Sequence, residues 1–309
     1  MAGVVLVTGG SGFVGGWAVV ELLKRGRTVR ATLRDPARES AFRGLVERQV
    51  DPAGRLEVAF ADLTADESWA EAVSGCDAVM HIASPMGAAD PQGLLDAAVN
   101  GTRRVLGAAC EEGVRRVVMT SSTAACTPAA PLDRAIDESD WTDPDQPDLS
   151  TYRKSKALSE RAAWDLVQGR DTGLTTILPG AIFGPVMNRE QLGSVGIIDR
   201  LLKGQPPALP RLAFNITDVR DLVDLHIRAL DTDAAAGRRF IAMGPALWYR
   251  DVAEVLRRRL GDDAANVPGA DLPDEAFRAL AETSAEMKGL LPLLGRTQAF
   301  SSDAARQVL

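Results

Sequence analysis

The sequence predicts an α/β protein, a doubly wound parallel sheet with a smaller C-terminal lobe, and three observations carry that prediction. A β-branched run near the N-terminus breaks at Gly9-Gly10-Ser11-Gly12 and passes directly into a helical pattern. Short apolar strands then recur with helical segments between them, the alternation that builds a parallel sheet covered on both faces. The chain has 309 residues, 46% of them hydrophobic and 25% charged, enough for a full core in one large unit or in a domain with an added lobe.

Residues 4–8 make the first strand, and helical apolar spacing over 13–25 stops at Gly26. A second strand covers 28–33. Further apolar strands follow at 56–60, 78–82, 116–120 and 175–178, separated by helical segments. The segments 94–112 and 151–168 are long and Ala-rich on one face, which suits helices that cover the sheet or meet a partner subunit. Residues 127–150 differ in kind: Pro128, Pro131, Pro144 and Pro147, with a run of acids over 137–145, mark a long surface loop placed to shape an active site. Beyond Gly184 the alternation weakens, with Gly and Pro punctuation through Pro210, a helix at 219–230, a short strand at 239–243 and further helices. The expected division is therefore 1–184 for the sheet domain and 185–309 for mainly the lobe, with some elements returning to the sheet. There is no internal repeat and no low-complexity tract. Residues 301–309 have helical spacing and no stop signal, so the natural chain is expected to run further.

Composition excludes several classes of function. No apolar run approaches the ~20 residues of a bilayer span, so no membrane association is expected. The formal charge is -7 and no Lys/Arg block is long enough to track a phosphate backbone, so nucleic acid is not an expected partner. The chain opens without a basic or cleavable apolar leader, which makes the cytoplasm the expected address. Cys76, Cys110 and Cys126 are far apart and include no C-x-x-C pair; they read as buried thiols in a reducing compartment, not as a disulfide framework or a zinc site. His81 ends an apolar strand and His226 lies on a helix, both ordinary structural positions, and no metal site is expected.

Gly9, Gly12 and Gly15 stand at G-x-x-G-x-x-G spacing between the first strand and the first helix. Glycine there permits a tight turn, lets backbone N–H groups approach a pyrophosphate and leaves that anion on the helix N-terminus. A purely structural turn would account for the glycines alone; the flanking strand and helix favour a dinucleotide. The residue closing the second strand decides which one. A carboxylate would accept hydrogen bonds from the ribose 2′-OH, whereas the chain has Arg34, whose guanidinium forks onto a 2′-phosphate, so NADPH is expected over NADH. Asp35 is the alternative, a carboxylate one residue on, and Arg38 or Arg43 would reinforce the phosphate reading. Asp62 and Leu63, at the end of the third strand, are placed to receive the adenine. Ile82, Ala83 and Ser84, at the end of the fourth, would pass under the cofactor.

Tyr152 and Lys156 stand four residues apart, on one face of the helix that begins near Thr151. The chain holds two tyrosines and five lysines, so their pairing at this spacing is informative. A phenol, ordinarily with a pKa of ~10, becomes a proton donor near neutrality only beside a positive charge that stabilises its phenolate, which Lys156 would supply. Ser122, at the end of the fifth strand, would hydrogen-bond a substrate carbonyl and hold it against Tyr152. A strand-end cap is the plain alternative for that serine.

The runs from Thr8 to Gly15 and Arg30 to Pro36, with Asn100-Gly101-Thr102, Thr120-Ser121-Ser122 and the stretch from Tyr152 to Trp164, resemble the extended short-chain dehydrogenase/reductases. The branch they resemble is dihydroflavonol 4-reductase-like, with its cinnamoyl-CoA reductase and bacterial aldehyde/ketone reductase relatives. The likeness runs from residue 3 to about residue 260. It implies a Rossmann-type fold with a C-terminal substrate-binding lobe, NADPH as hydride donor, and Ser122, Tyr152 and Lys156 as the catalytic set. The cofactor positions it implies are Gly9, Gly12, Phe13, Val14, Arg34, Asp62, Leu63, Ala83 and Ser84, then Pro179, Ile182 and Ser194, with Tyr152 and Lys156 reaching the cofactor too. A homodimer through the helices at 94–112 and 151–168 is a further implication. Departures bear on substrate. The plant flavonoid reductases carry an Asn five residues after the catalytic Ser, where this chain has Thr127, which argues against a flavonoid. Their second basic residue near the 2′-phosphate falls on Ala41, leaving Arg38 to assist Arg34. Met86, Cys126, Phe183 and Met187 are candidates for an apolar pocket wall suited to an aromatic or aliphatic aldehyde or ketone, with ordinary packing the plain alternative for the two methionines.

The expected function is NADPH-dependent reduction of a small-molecule carbonyl, with hydride delivered to carbon and a proton from Tyr152 to oxygen. One alternative is an NAD-dependent epimerase, dehydratase or lyase acting on a nucleotide sugar, against which Arg34 argues. Another is a non-catalytic NADPH-sensing protein, which would not require Ser122, Tyr152 and Lys156 together.

Overall fold

The computed structural model describes residues 3–85, 90–147, 149–190 and 192–309. Strand β1 (Val4–Val7) leads into helix α1 (Phe13–Lys24), and β2 (Thr28–Leu33) into α2 (Glu39–Glu47). Strand β3 (Leu56–Phe60) and the short α3 (Trp69–Val73) precede β4 (Cys76–His81), α4 (Pro91–Glu111) and β5 (Arg116–Thr120). Helix α5 (Thr151–Val167) is followed by β6 (Gly173–Pro179), β7 (Ala181–Phe183), α6 (Gly196–Leu202) and β8 (Ala213–Asp218). Then come α7 (Val219–Asp231), β9 (Arg238–Ala242), β10 (Ala246–Trp248), α8 (Tyr249–Leu260), α9 (Asp274–Thr283), α10 (Ala285–Leu290) and α11 (Asp303–Val308).

Seven strands pair in parallel in the order β3-β2-β1-β4-β5-β6-β9, the doubly wound sheet expected. The order reverses between β1 and β4, so a crevice opens at the C-terminal ends of those strands. Strand side chains alternate between the faces. Val5 and Val7 pack on one face with Val19, Leu22 and Leu23 of α1 and Val223 and Ile227 of α7. Leu6 packs on the other with Val105 and Leu106 of α4 and Ala163 of α5. Both faces are covered, which is why these strands read as continuous apolar runs.

Local chemistry sets the helix ends. Gly26 has φ +77, and its N–H reaches Leu23 O while that of Arg27 reaches Leu22 O, closing α1 where the sequence stops it. Asp90 caps α4 by accepting from the Gln92 and Gly93 N–H groups, with Pro91 at the first helical position. Ser150 caps α5 through the Arg153 N–H, which fixes where Tyr152 starts its helical turn.

The described residues of 127–150 contain no helix or strand. Buried Thr142 pins this loop: its hydroxyl accepts from the Thr127 N–H at 2.9 Å and its own N–H reaches Ala125 O. A second, three-stranded sheet, β10-β8-β7, lies in the C-terminal part over a core of Leu201, Leu209, Val252 and Val267. Later elements also join the large sheet: β9 extends it, α7 covers it, and Ala305 of α11 packs with Phe240. Ile82 falls just past β4 instead of inside it. Among the described residues, no helix is long and apolar enough to cross a membrane.

Candidate active site

The glycine turn lies at the switch point and is fastened from below. Thr32 at the end of β2 accepts the Gly9 N–H on its hydroxyl and the Gly10 N–H on its carbonyl, each at 3.0 Å. Gly9 has φ +68, a conformation glycine takes without steric cost. A Cβ on Gly15 would lie 2.2 Å from the Gly9 carbonyl oxygen, so the third glycine is dictated by how tightly the helix crosses the turn. Below it, the Thr8 hydroxyl accepts from the Ile82 and Ala83 N–H groups at 3.0 and 2.9 Å. Its one proton therefore goes to His81 Nδ1, 3.0 Å away, and His81 Nε2–H points to Thr102 of α4 at 3.4 Å. Burial and then the neighbouring Lys156 charge push His81 down to about 3, so the ring is neutral.

This cradle fits a dinucleotide: glycines where a Cβ would collide with backbone, and an exposed cation beyond the end of β2. Arg34 makes no hydrogen bond or ion pair among the described residues. Asp35 is engaged elsewhere, accepting the Ala37 N–H at 2.9 Å and capping the turn 36–38. Arg43 is tied to Glu39 and to Leu56 O, which removes it from the phosphate side. Arg38 reaches the Glu190 carboxylate at 2.5 Å. Asp62 is partly desolvated, but the Thr64 N–H and hydroxyl outweigh that and, with Arg34 and Arg104, hold its carboxyl below the usual carboxylate range.

The Tyr152 hydroxyl donates to Ser122 Oγ at 3.5 Å, and Lys156 Nζ lies 6.0 Å from the phenol ring centre. Lys156 also donates to Ser84 Oγ at 3.1 Å, tying α5 to the segment that follows β4. Tyr152 is 43% exposed, while Ser122 is 8% and Lys156 7%, so the phenol alone of the three faces incoming molecules broadly. The strand end that carries Ser122 is gripped on both faces. Thr120 donates to His226 Nε2 of α7 at 2.7 Å, and the His226 Nδ1–H donates to Leu222 O, leaving a ring that burial pushes down to about 4. Ser121, pointing the other way, donates to Glu160 of α5 at 2.6 Å.

Val14 and Ile182 belong to one apolar cluster, and a Cβ on Gly193, next to Ser194, would lie 3.8 Å from Phe13. Leu63 packs against Gly101, where a Cβ would come within 2.8 Å of it. Pro179 ends β6. One pocket-wall expectation is corrected. Cys126 is fully buried with Ile136, Leu178 and Ile241, because its loop folds under the sheet end; burial also pushes its thiol up to about 12. Met187 is half-buried against the glycine turn, where its Cε occupies the space a Cβ on Gly16 would need, and it lines a cavity there with Gly12 and Phe13. Phe183, on β7 of the second sheet, lies edge-on to Phe214 of β8, whose ring is tilted against that of Tyr249. Met86 lies outside the described residues. Cys110 is half-buried, not buried as expected, whereas Cys76 is buried. No cluster able to hold a metal occurs among the described residues. The anchors Thr8, Thr32, His226 and Glu160 were not singled out as site residues by the sequence; for Thr8 and Thr32 a polar residue at a strand end was the available signal.

The profile of the NAD dependent epimerase/dehydratase family matches residues 5–242. The chain belongs to this family. It is 35% identical over 259 residues to cinnamoyl-CoA reductase 1 of Petunia hybrida, covering 82% of this chain and 77% of that protein. It is 34% identical over 267 residues to dihydroflavonol 4-reductase of Zea mays, covering 83% and 74%. Its fold is similar to that of Candida albicans Gre2 in complex with NADPH, with a TM-score of 0.81, 24% identity, and 98% and 92% of the two chains covered. These findings bear out the resemblance to the extended short-chain reductases and the Rossmann-type fold it implied.

Proposed function

We propose that the chain is an NADPH-dependent carbonyl reductase acting on small aldehydes or ketones. The observation that carries this reading is the meeting of the Tyr152 hydroxyl, the Ser122 hydroxyl and the Lys156 ammonium at the strand ends beside the glycine turn. Gly9, Gly12, Phe13 and Val14 would take the pyrophosphate side, with Arg34 on the 2′-phosphate and Asp62 and Leu63 at the adenine. Ile82, Ala83 and Ser84 would lie beneath the cofactor, and Pro179, Ile182 and Ser194 at its nicotinamide end. Bound NADPH supplies the hydride. Ser122 donates to the carbonyl oxygen and holds it against Tyr152, which donates the proton as the alkoxide forms. Lys156, oriented by Ser84, keeps a positive charge beside the phenol and so stabilises the phenolate left behind.

Residues 185–309 are proposed as mainly the substrate lobe, and the aromatic face of Phe183, Phe214 and Tyr249 supports an aromatic or branched aliphatic carbonyl. Thr127, hydrogen-bonded to Thr123 O, offers no amide to a flavonoid. The relatives that match along most of the chain are reductases, which supports reduction over the epimerase and dehydratase chemistry in the family's name. A homodimer through α4 and α5 belongs to the same proposal, and a monomeric mass by light scattering removes it. The test of the function is NADPH oxidation against aromatic and aliphatic aldehydes, ketones and 1,2-diketones, beside NADH. Turnover with NADPH at several carbonyls is expected; tight NADPH binding with silence across the panel would overturn the reading.

A further inference from the structure

Helix α5 carries a third functional position on the face of Tyr152 and Lys156. Glu160 is one turn beyond Lys156 and two beyond Tyr152. It is completely buried, and both carboxylate oxygens are used. Oε2 accepts from Ser121 Oγ at 2.6 Å and from Arg239 Nη2 at 3.3 Å. Oε1 accepts from Thr176 of β6 at 2.7 Å, from Arg239 Nε at 2.8 Å and from Trp164 Nε1 at 3.4 Å. Arg239, on β9 and 8% exposed, is thus bound side-on through two nitrogens. Its third nitrogen, Nη1, donates to the carbonyls of Glu138 and Asp140, each at 2.7 Å, and its guanidinium lies 3.6 Å from the ring centre of Trp141. Glu138 returns the link by accepting the Ile241 N–H of β9 at 2.9 Å.

One ion pair therefore joins four pieces: the strand end next to Ser122, the helix bearing Tyr152 and Lys156, the last two strands of the sheet, and the loop beside the site. Buried ion pairs are poor sources of stability, because desolvating both charges offsets most of their attraction and an apolar pair of similar volume packs as well. An apolar pair could not direct Ser121 or hold two loop carbonyls. We infer that the buried Glu160–Arg239 pair is a positioning unit that sets Ser122 against Tyr152 and Lys156 and fixes the 138–141 loop to β9 beside them. This rests on the reading of those three residues as the reacting set; neither member of the pair touches substrate or cofactor.

The test compares Glu160→Gln, Arg239→Lys and the neutral double variant Glu160→Gln/Arg239→Gln with wild type, at a temperature where melting curves show these four and the single Arg239→Gln variant folded. Glu160→Gln is expected to lower kcat for carbonyl reduction by about 10- to 100-fold, the scale of an ångström-sized misplacement, while the Kd for NADPH shifts by less than about threefold. Arg239→Lys should recover part of the rate. The losses of the two single Gln variants, with Arg239→Gln made for this purpose, should not add in the double variant, because they break one unit. Amide hydrogen exchange in Glu160→Gln should rise together over 120–123, 138–142 and 151–158 and stay unchanged over 8–16. A melting temperature that falls while kcat stays within about twofold of wild type would make the pair a stability feature only and overturn the inference. If wild type reduces no carbonyl, the reductase reading fails by itself and the exchange arm decides the pair: a joint rise upholds the clamp, and a rise confined to α5 overturns it.

Discussion

Ser122 accepts twice, from the Ala124 N–H at 3.1 Å and from Tyr152 at 3.5 Å, which leaves its own proton for a carbonyl oxygen. Ser122→Ala should therefore lower kcat by about 100-fold, as loss of one oxyanion donor does, and leave the Kd for NADPH unchanged. A variant within a few-fold of wild type would reduce Ser122 to a strand-end cap. Arg34 is the second residue with a sharp expectation. With Asp35 engaged by the Ala37 N–H and Arg43 by Glu39, Arg34→Ala should raise the Kd for NADPH by about 10- to 100-fold and barely alter that for NADH, measured by nucleotide fluorescence. Equal losses for both nucleotides would place Arg34 off the 2′-phosphate. These two residues could be singled out in the sequence because each is a telling residue type at a strand end, a position that local patterning fixes. The tie between Glu160 and Arg239 could not, since its partners are 79 positions apart and each alone resembles a surface charge.

At the scale of the element, the turn between β1 and α1 is set by backbone approach. Gly15→Ala puts a Cβ 2.2 Å from the Gly9 carbonyl oxygen, with backbone as the obstacle, so the helix must shift. The expected cost is about 1–3 kcal/mol of stability by chemical denaturation, with weaker NADPH binding because the N–H groups of the turn move with the helix. Unchanged stability and affinity would show a turn looser than described. The seven strands of the large sheet were visible as apolar runs because both faces are covered. The small sheet was not: β7 and β10 have three residues each, and β7 pairs in parallel with a strand some thirty positions on, so neither length nor spacing announces them. Cys126 was misassigned for a related reason, since an apolar residue near a strand end is equally suited to a pocket wall or to the packing behind it.

For the whole molecule, the two histidines dominate the response to mild acid. Both are neutral in the fold, His81 pushed down to about 3 and His226 to about 4, mainly by burial. The unfolded chain binds a proton at each near pH 6.5, so their contribution to stability is complete above that pH and falls over about pH 6.5 to 5 by about 1.4 kcal/mol per histidine per pH unit, before the carboxyls held below their usual range, Asp62, Asp137, Asp140, Asp218, Asp224 and Asp274, add a further loss at lower pH. Calorimetry at pH 5 in buffers of different ionisation enthalpy should show uptake of about two protons on unfolding. Uptake near zero would mean that the rings are already charged in the fold, contrary to the hydrogen bonds from Thr8 and Thr120.

The central claim is that Tyr152 is the proton donor in a carbonyl reduction, and Tyr152→Phe tests it most directly. The substitution removes one oxygen from a side chain that is 43% exposed, so it disturbs little besides the bond to Ser122. Measured together, kcat for NADPH oxidation with an active carbonyl should fall by about 1000-fold or more while the Kd for NADPH stays within about twofold. Turnover retained within about tenfold of wild type would contradict the account.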